Sequence, residues 1–291
     1  MRRATISPLL GLACFLWMGM GCAPAADAPA MESKTSAVAA TPTVFPGKTG
    51  TFEDEKITVN GEEREYRLVV PDSVDLTKTA PIVFAFHGMG IDNKDHMAAT
   101  SGLPELAAEH KFILVFPAAS TQQLGAAMVK AWALAPAHIP ADLAFFDALL
   151  AKLQTQYRID ANAIFITGMS NGAYFAHLLG RERSEVIAAV AAHSGELGLE
   201  QLGLIATGRK FPVMIIHGDA DQVFPVENAR RARDIYEKSG HPVTYLEIPN
   251  WIHDWYRPVD EKIWDFFDSH RLGPAPAITA TTPAAAPAAH S

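Results

Sequence analysis

Short apolar runs alternate with longer amphipathic stretches along the middle of the chain. The runs are Pro81–Phe86, Phe112–Phe116, Ala163–Thr167, Ile187–Ala192, Phe211–Ile216 and Val243–Ile248. An uninterrupted apolar run is typical of a strand that is buried on both faces, as in a parallel sheet. Before these runs, Glu55–Asn60 and Glu65–Val70 are joined through Gly61 and predict an antiparallel pair.

The stretches between the runs predict helices. Asp142–Tyr157 has a helical repeat of apolar residues, and Glu227–Ser239 and Val259–His270 follow later in the chain. The apolar face of the first stretch consists of Leu143, Phe146, Leu150, Leu153 and Tyr157, and the core residues expected from the last are Trp264, Phe266 and Phe267. Alternating strands and helices predict an α/β fold with a mostly parallel, doubly wound sheet and helices on both faces. The ligand crevice of such a sheet lies at the carboxyl ends of the strands.

Composition divides the chain into four parts. Residues 1–22 have the features of a secretory leader, with Arg2 and Arg3 before an apolar stretch that is too short for a membrane span. Residues 23–45 are rich in Ala, Pro, Ser and Thr and predict a flexible linker. Residues 46–272 predict one catalytic domain, and residues 273–291 predict a disordered Pro/Ala-rich tail.

The end of the leader allows two kinds of processing. Cys22 follows Gly21 and is a candidate for lipidation, which would attach an exported protein to a membrane. Ordinary cleavage after Ala25 is the alternative. The leader predicts an exported protein, periplasmic or extracellular. Both cysteines of the chain, Cys14 and Cys22, lie in this region, so the predicted domain has no disulfide and no cysteine nucleophile.

Charge and ligand spacing exclude several classes of function. The formal net charge of −8, without a block of Lys or Arg, argues against nucleic acid as a partner. The pair Asp219 and Asp221 has the spacing of a calcium loop, but Phe224 replaces its glycine and Arg230 its closing glutamate. Histidines with zinc-ligand spacing are absent from the sequence. We therefore expect neither a metal nor a cofactor.

The segment Gly168-Met-Ser-Asn-Gly172 carries the strongest chemical motif. It joins an apolar strand to a helical stretch, and a G-x-S-x-G sequence in that position is typical of a nucleophile elbow. Glycines at 168 and 172 allow strand and helix to approach closely around Ser170. A serine that merely caps the helix is the structural alternative.

Polar residues follow four of the predicted strands. His87–Gly90 follows the first apolar run, Ser170 the third, His217–Asp221 the fifth, and His253 lies in the loop after the sixth. The chain order Ser, Asp, His is that of α/β-hydrolases and differs from that of chymotrypsin and subtilisin. Carboxyl ends of parallel strands meet at one edge of a sheet, so these groups are expected to converge there.

The chain resembles the secreted esterases grouped with polyhydroxybutyrate depolymerases and feruloyl or acetylxylan esterases. The similarity runs through Gly61–Pro71, His87–Gly90, Gly168–Gly172, His217–Pro225 and His253 and covers nearly the whole predicted domain. This resemblance implies an α/β-hydrolase fold with Ser170, Asp221 and His253 as the catalytic triad.

The chemistry assigns a role to each group. His253 would take the proton of Ser170, and Asp221 would hold the imidazole in the right tautomer. The backbone N–H groups of Met89 and Asn171 would form the oxyanion hole. Asp219 and Glu196 are alternative acids for the place of Asp221.

For the other strand-end histidines and for three tryptophans, the sequence gives less specific predictions. His87, His193 and His217 also end strands, and we expect hydrogen-bonded packing residues rather than bases. Trp132, Trp251 and Trp255 are candidates for lining the substrate cleft, with packing at its rim as the alternative.

The resulting hypothesis is an exported serine esterase that needs no cofactor. Its expected substrates are hydroxyalkanoate oligomers, or feruloyl and acetyl esters. A serine peptidase of the prolyl-oligopeptidase type is an alternative, although Ala173 stands where that type has a second glycine. A non-catalytic envelope protein that uses the fold for binding is another.

Overall fold

The computed structural model describes residues 45–90, 94–133, 135–198 and 208–273. The leader, Cys22, the linker up to residue 44 and the tail from residue 274 lie outside the described residues. Their predicted boundaries therefore stay predictions. None of the helices in the described ranges combines the length and the apolar character needed to cross a membrane.

The described ranges contain strands and helices in alternation. The strands are β1 (Gly50–Val59), β2 (Glu62–Val70), β3 (Ala80–Phe86), β4 (Ile113–Pro117), β5 (Thr121–Leu124), β6 (Ala127–Lys130), β7 (Ile159–Met169), β8 (Ala189–His193), β9 (Val213–Gly218) and β10 (Val243–Ile248). The helices are α1 (Lys94–Thr100), α2 (Leu103–His110), α3 (Ile139–Gln156), α4 (Asn171–Glu182), α5 (Val226–Lys238) and α6 (Asp260–Ser269). Short 3-10 turns precede α3 and α6.

One large sheet organises the described part of the chain. Its strand order is β1-β2-β4-β3-β7-β8-β9-β10, while β5 and β6 pair with each other as a separate hairpin. Strands β4, β3, β7, β8, β9 and β10 are parallel, and β1 and β2 are antiparallel additions at one edge. The predicted antiparallel pair and the parallel sheet are both confirmed.

Apolar side chains fill a core on each face of this sheet. Strand β3 contacts both cores. Ile82 and Phe84 face one core, and Val83 and Ala85 face the other, so the strand is apolar throughout. Helices α3, α4 and α5 cover the first core, and helices α1, α2 and α6 cover the second. This is the doubly wound arrangement that alternating strands and helices predict.

The helical periodicity of α3 is also confirmed. Its predicted face, from Leu143 to Tyr157, is buried against the sheet, and Trp264, Phe266 and Phe267 of α6 are buried on the opposite side. The pattern did not predict α1, α2 or the β5–β6 hairpin. The two helices span seven and eight residues, too few for a clear helical repeat.

Candidate active site

Ser170 lies on the tight turn between β7 and α4. Its backbone has φ 56° and ψ −121°, a conformation with positive φ that residues other than glycine rarely adopt. The amide of Ser170 donates to the carbonyl of His193 at 2.9 Å, which ties the turn to the end of β8. The predicted strand–turn–helix context of the G-x-S-x-G motif is therefore present.

The two glycines of the motif are required by close backbone contacts. A Cβ on Gly172 would lie 2.1 Å from the carbonyl oxygen of Phe86 in β3. A Cβ on Gly168 would lie 2.4 Å from the carbonyl oxygen of Gly172. Helix α4 thus packs directly on the backbone at the end of β3, which a side chain at either position would prevent.

His253 connects Ser170 to Asp221. Its Nε2 lies 3.0 Å from Ser170 Oγ, and its Nδ1 lies 2.8 Å from Asp221 Oδ2. A carboxylate can only accept, so Nδ1 carries the proton that it donates to Asp221, and Nε2 is then free to accept the proton of the serine hydroxyl. This is the geometry in which a histidine can act as a base toward a serine.

Asp221 is held as an anion at the end of β9. Its Oδ1 accepts hydrogen bonds from the amides of Val223 at 2.8 Å and Phe224 at 2.9 Å. Burial raises the pKa of Asp221, but the hydrogen bonds from His253, Phe224 and Val223 outweigh burial and lower the pKa below its usual value. The carboxylate of Asp221 is therefore charged at neutral pH.

His217 completes the surroundings of this carboxylate. Its Nε2 lies 2.8 Å from the carbonyl oxygen of Phe224 and 3.2 Å from Asp221 Oδ2. Because a carbonyl only accepts, Nε2 of His217 carries a proton and faces both oxygens. His217 is fully buried, so it supports the 221–224 turn without reaching the cleft.

The two alternative acids have other hydrogen-bond partners. Asp219 is exposed, and its Oδ1 accepts the amide of Asn250 at 2.5 Å. Glu196 accepts a hydrogen bond from Asn228 Nδ2 at 3.0 Å. Asp219 therefore anchors the loop that carries His253, whereas Asp221 is the carboxylate that contacts the imidazole.

The remaining strand-end histidines are packing residues, as expected. His87 Nε2 accepts the amide of Ala119 at 3.0 Å, and burial lowers the pKa of His87 to about 4. His193 Nε2 accepts the amide of Tyr256 at 3.0 Å, and its ring stacks on Trp255. Burial, assisted by the neighbouring His217 and His253, lowers the pKa of His193 to about 3. Both imidazoles are therefore neutral over the ordinary range of pH.

The predicted oxyanion donors, Met89 and Asn171, belong to residues that line the cleft beside Ser170. Asn171 is the first residue of α4, so its amide has no partner within the helix. Met89 lies in the loop after β3, and its side chain is 42% exposed. Their role as donors to a reaction intermediate stays a prediction.

A network of hydrogen bonds connects the side chain of Asn171 to segment 131–133 and to Asp142. Asn171 exchanges two side-chain hydrogen bonds with the backbone of Trp132, and the amide of Ala133 donates to Asp142 Oδ2 at 2.7 Å. Asp142 pairs with Arg64 at 2.9 Å, and both side chains are almost completely buried. Burial raises the pKa of Asp142 above its usual value, although Arg64 and the Ala133 amide oppose this. Segment 131–133 is thereby fixed between α3 and the elbow.

The cleft above Ser170 has a volume of about 590 Å³. The residues that line it within the described ranges are Met89, Ala133, Ser170, Asn171, Tyr174, Glu196, Gly198, Val223, Phe224 and His253. Most of these side chains are apolar or aromatic, which suits the organic part of an ester.

The expectation that three tryptophans line this cleft is wrong. Trp132 is fully buried, stacks on Phe175 and donates its indole N–H to the carbonyl of His87. Trp255 is 3% exposed, and its indole donates to Asp260. Trp251 packs edge-on against Tyr256 and donates to the carbonyl of Asp254, outside the lining of the cleft.

The side chains that do line the cleft follow the catalytic candidates in the sequence. Tyr174 lies one helical turn after Ser170, and its amide donates to the carbonyl of Ser170 at 3.1 Å. Val223 and Phe224 follow Asp221 in the turn that binds its carboxylate. Helical spacing from the elbow could have identified Tyr174, whereas Val223 and Phe224 required the conformation of the turn.

A mostly parallel sheet with a serine on the turn after a central strand, and a histidine and an aspartate from later strand ends, is an α/β-hydrolase. The chain belongs to the phospholipase/carboxylesterase family, whose sequence model matches residues 73–270. The expected resemblance to esterases is thereby confirmed.

Individual relatives agree with this family. Feruloyl esterase D of Neurospora crassa is 29% identical over 210 residues, which cover 68% of this chain and 65% of that protein. Feruloyl esterase C of Emericella nidulans is 30% identical over 190 residues, which cover 62% of this chain and 63% of that protein. The chain thus spans somewhat less than two thirds of the length of these relatives.

Solved structures show the same fold. A ferulic acid esterase of Anaeromyces mucronatus, in complex with ferulic acid, superposes with a TM-score of 0.61 at 18% identity. The superposition covers 79% of this chain and 93% of that one.

Proposed function

We propose that this protein is an exported serine esterase that hydrolyses carboxylic esters through an acyl-enzyme. The observation that carries the proposal is the position of His253, within hydrogen-bond distance of both Ser170 Oγ and Asp221 Oδ2. Membership of a carboxylesterase family and an apolar cleft above the serine support it.

The reaction proceeds in two halves. His253 Nε2 takes the proton of Ser170 as Oγ attacks the ester carbonyl carbon, and the amides of Asn171 and Met89 stabilise the oxyanion. The imidazolium then protonates the departing alcohol, which leaves an acyl group on Oγ. A water molecule, deprotonated by the same imidazole, attacks this acyl group. The bond between the acyl carbon and Oγ then breaks, the imidazolium returns its proton to Ser170 Oγ, and the acid is released. Side chains, backbone amides and water supply every group in these steps, so the proposed mechanism needs no cofactor.

We further propose feruloyl or acetyl esters, or hydroxyalkanoate oligomers, as substrates. The relatives named feruloyl esterase and the bifunctional acetylxylan esterase/xylanase of Neocallimastix patriciarum support the first class. The cleft supports an aromatic or aliphatic acyl group, because Tyr174, Val223 and Phe224 provide apolar surface close to Ser170.

Export and anchoring are the sequence-based part of the proposal. The leader with Arg2 and Arg3 supports secretion to a periplasmic or extracellular location, and Cys22 is the proposed lipidation site. A Cys22→Ser variant should move from the membrane fraction to the soluble fraction. Equal release of the wild type and the variant into the soluble fraction would favour cleavage after Ala25 instead.

Ser170→Ala tests the proposed chemistry. The variant should lose hydrolysis of nitrophenyl, feruloyl and acetyl esters while its thermal melt stays cooperative, because one hydroxyl is removed without a change in the backbone. A fluorophosphonate probe should label the wild type at Ser170 and leave the variant unlabelled. Turnover by the variant near the wild-type rate would refute the assignment.

A further inference from the structure

Glu196 is fixed beside the nucleophile by the segment that follows β8. The amide of Ser194 donates to the carbonyl of Ile216 at 2.8 Å, which holds the start of this segment against β9. Gly195 packs on the elbow so closely that a Cβ there would lie 2.4 Å from Ala173 Cβ and 2.8 Å from the carbonyl oxygen of Ser170. The next residue, Glu196, therefore has little freedom to move away from the cleft.

The carboxylate of Glu196 adds a negative charge to the lining of the cleft. Glu196 is half-buried, and its Oε2 accepts a hydrogen bond from the neutral amide of Asn228 at 3.0 Å. Arg231 lies behind that amide, 3.4 Å from Asn228 Oδ1, and its side chain is exposed to solvent. Among the described residues that line the cleft, Glu196 has the one carboxylate side chain. The imidazole of His253 contacts the carboxylate of Asp221, whereas Glu196 accepts its hydrogen bond from Asn228, so the proposed reaction assigns no step to Glu196.

We propose that Glu196 selects the substrates of this site by charge. A half-buried carboxylate repels a second carboxylate in the same cleft and attracts hydroxyl or ammonium donors. The inference rests on the proposed esterase function and narrows it. Feruloyl and acetyl esters of neutral sugars carry no carboxylate and offer hydroxyl donors, whereas a short hydroxyalkanoate oligomer ends in a carboxylate. Glu196 therefore favours the first of the two proposed substrate classes.

Two pairs of esters test this selection. Para-nitrophenyl pentanoate and mono-para-nitrophenyl glutarate differ by a carboxylate on the acyl side, and para-acetoxybenzamide and para-acetoxybenzoate differ by one on the alcohol side. For each pair, the neutral-to-anionic ratio of kcat/KM is measured for the wild type and for Glu196→Gln. Dividing the two ratios cancels the intrinsic reactivity of each ester.

We expect Glu196→Gln to lower the neutral-to-anionic ratio about tenfold in at least one pair, the size expected for two like charges several ångströms apart in a partly solvated site. The difference should shrink at high ionic strength, because salt screens it. Glu227→Gln is the matched control. It removes the same charge from an exposed carboxylate one residue before Asn228, and it should leave both ratios unchanged.

The outcomes separate this inference from the function on which it rests. Active wild type with both ratios unchanged in Glu196→Gln, or an equal shift in Glu227→Gln, would refute the role of Glu196 alone. A wild type that hydrolysed none of the four esters would refute the proposed esterase function, and the charge selection with it. A shift confined to Glu196→Gln would support the proposal.

Discussion

The side chain of Asn171 and the backbone of Trp132 exchange two hydrogen bonds. The amide of Trp132 donates to Asn171 Oδ1 at 2.7 Å, and Asn171 Nδ2 donates to the carbonyl of Trp132 at 3.0 Å. The first residue of α4 is therefore coupled to segment 131–133, which Asp142 holds through the amide of Ala133. The buried pair of Arg64 and Asp142 thus positions a wall of the cleft without touching it.

This coupling makes Asp142 a positioning residue, which two double variants can test. Arg64→Met with Asp142→Leu removes both buried charges and also the acceptor for Ala133. Arg64→Met with Asp142→Asn removes the charges but keeps an oxygen that can accept the Ala133 amide. We expect the first variant to lower kcat about tenfold to a hundredfold relative to the second, because small displacements of a catalytic group have effects of this order.

The comparison is controlled because each variant removes both partners of a buried ion pair. Loss of one partner alone should cost about 3–5 kcal/mol of stability, whereas replacement of both is often tolerated. Urea unfolding of each double variant gives the stability, and initial rates give kcat. Equal kcat values in two folded variants would show that the Asp142–Ala133 hydrogen bond has no positioning role.

The sequence predicted the positions that depend on local pattern. Apolar runs identified the parallel strands, and the glycines around Ser170 identified the elbow, because both signals come from neighbouring residues. Trp132 shows what local pattern leaves out. Its indole is buried by Phe175 and by the carbonyl of His87, which are distant in sequence, and a tryptophan near a strand end has the same local pattern whether it faces the cleft or the core.

Local sequence pattern also could not show which of the two aspartates after β9 contacts His253. Asp219 and Asp221 lie two residues apart in one loop, and both end up hydrogen-bonded to the loop that carries His253. Only the conformation of the 221–224 turn directs Asp221 toward the imidazole.

The sequence pattern did not predict short helices such as α1, because seven residues cannot display two full turns of a helical repeat.

The strained backbone of Ser170 predicts that a glycine variant is more stable than an alanine variant at this position. Glycine adopts positive φ without steric cost, so Ser170→Gly should relieve strain of about 1–3 kcal/mol that Ser170→Ala retains. Greater freedom of glycine in the unfolded chain opposes this by about 0.4–1 kcal/mol. Ser170→Gly should therefore be about 1 kcal/mol more stable than Ser170→Ala in urea unfolding, and both should be inactive. A less stable glycine variant would show that any strain in the turn is smaller than the cost of glycine's freedom in the unfolded chain.

Asp260 should make stability depend on pH. It accepts hydrogen bonds from the amide of Gly102 at 2.9 Å and from the indole of Trp255 at 2.8 Å, and burial raises the pKa of its carboxyl to about 6. Because this pKa lies above the unfolded value of about 4, the protonated form favours folding. Its contribution is present below pH 4 and is lost as the pH rises through about 6.

Asp260→Asn cannot ionise, so it isolates this effect. The stability of the wild type relative to the variant should fall by about 2 kcal/mol between pH 4 and pH 7, as expected for a pKa raised by about two units. The variant also mismatches one of the two donors, but that cost is independent of pH. Urea unfolding at pH 4, 5, 6 and 7 gives the difference. A difference that stayed constant over this range would show that Asp260 ionises normally in the folded protein.

The last prediction separates the two aspartates of the β9 loop. Asp221→Asn replaces an acceptor for His253 Nδ1 with a nearly isosteric amide, so the imidazole should take the wrong tautomer. We expect kcat to fall by up to about 10⁴-fold, with little loss of stability. Asp219→Asn should have a small effect, because the oxygen of asparagine can still accept the amide of Asn250.

Asp219→Ala should lower kcat to an intermediate extent, since it frees the loop that carries His253 without changing the tautomer of the imidazole. Its defect should shrink at low temperature, where the loop is better ordered, while the Asp221→Asn defect should persist. Steady-state kinetics at two temperatures, with thermal melts of each variant, distinguish these cases. If Asp219→Asn were the crippled variant and Asp221→Asn nearly normal, the pairing of Asp221 with His253 would have no catalytic role.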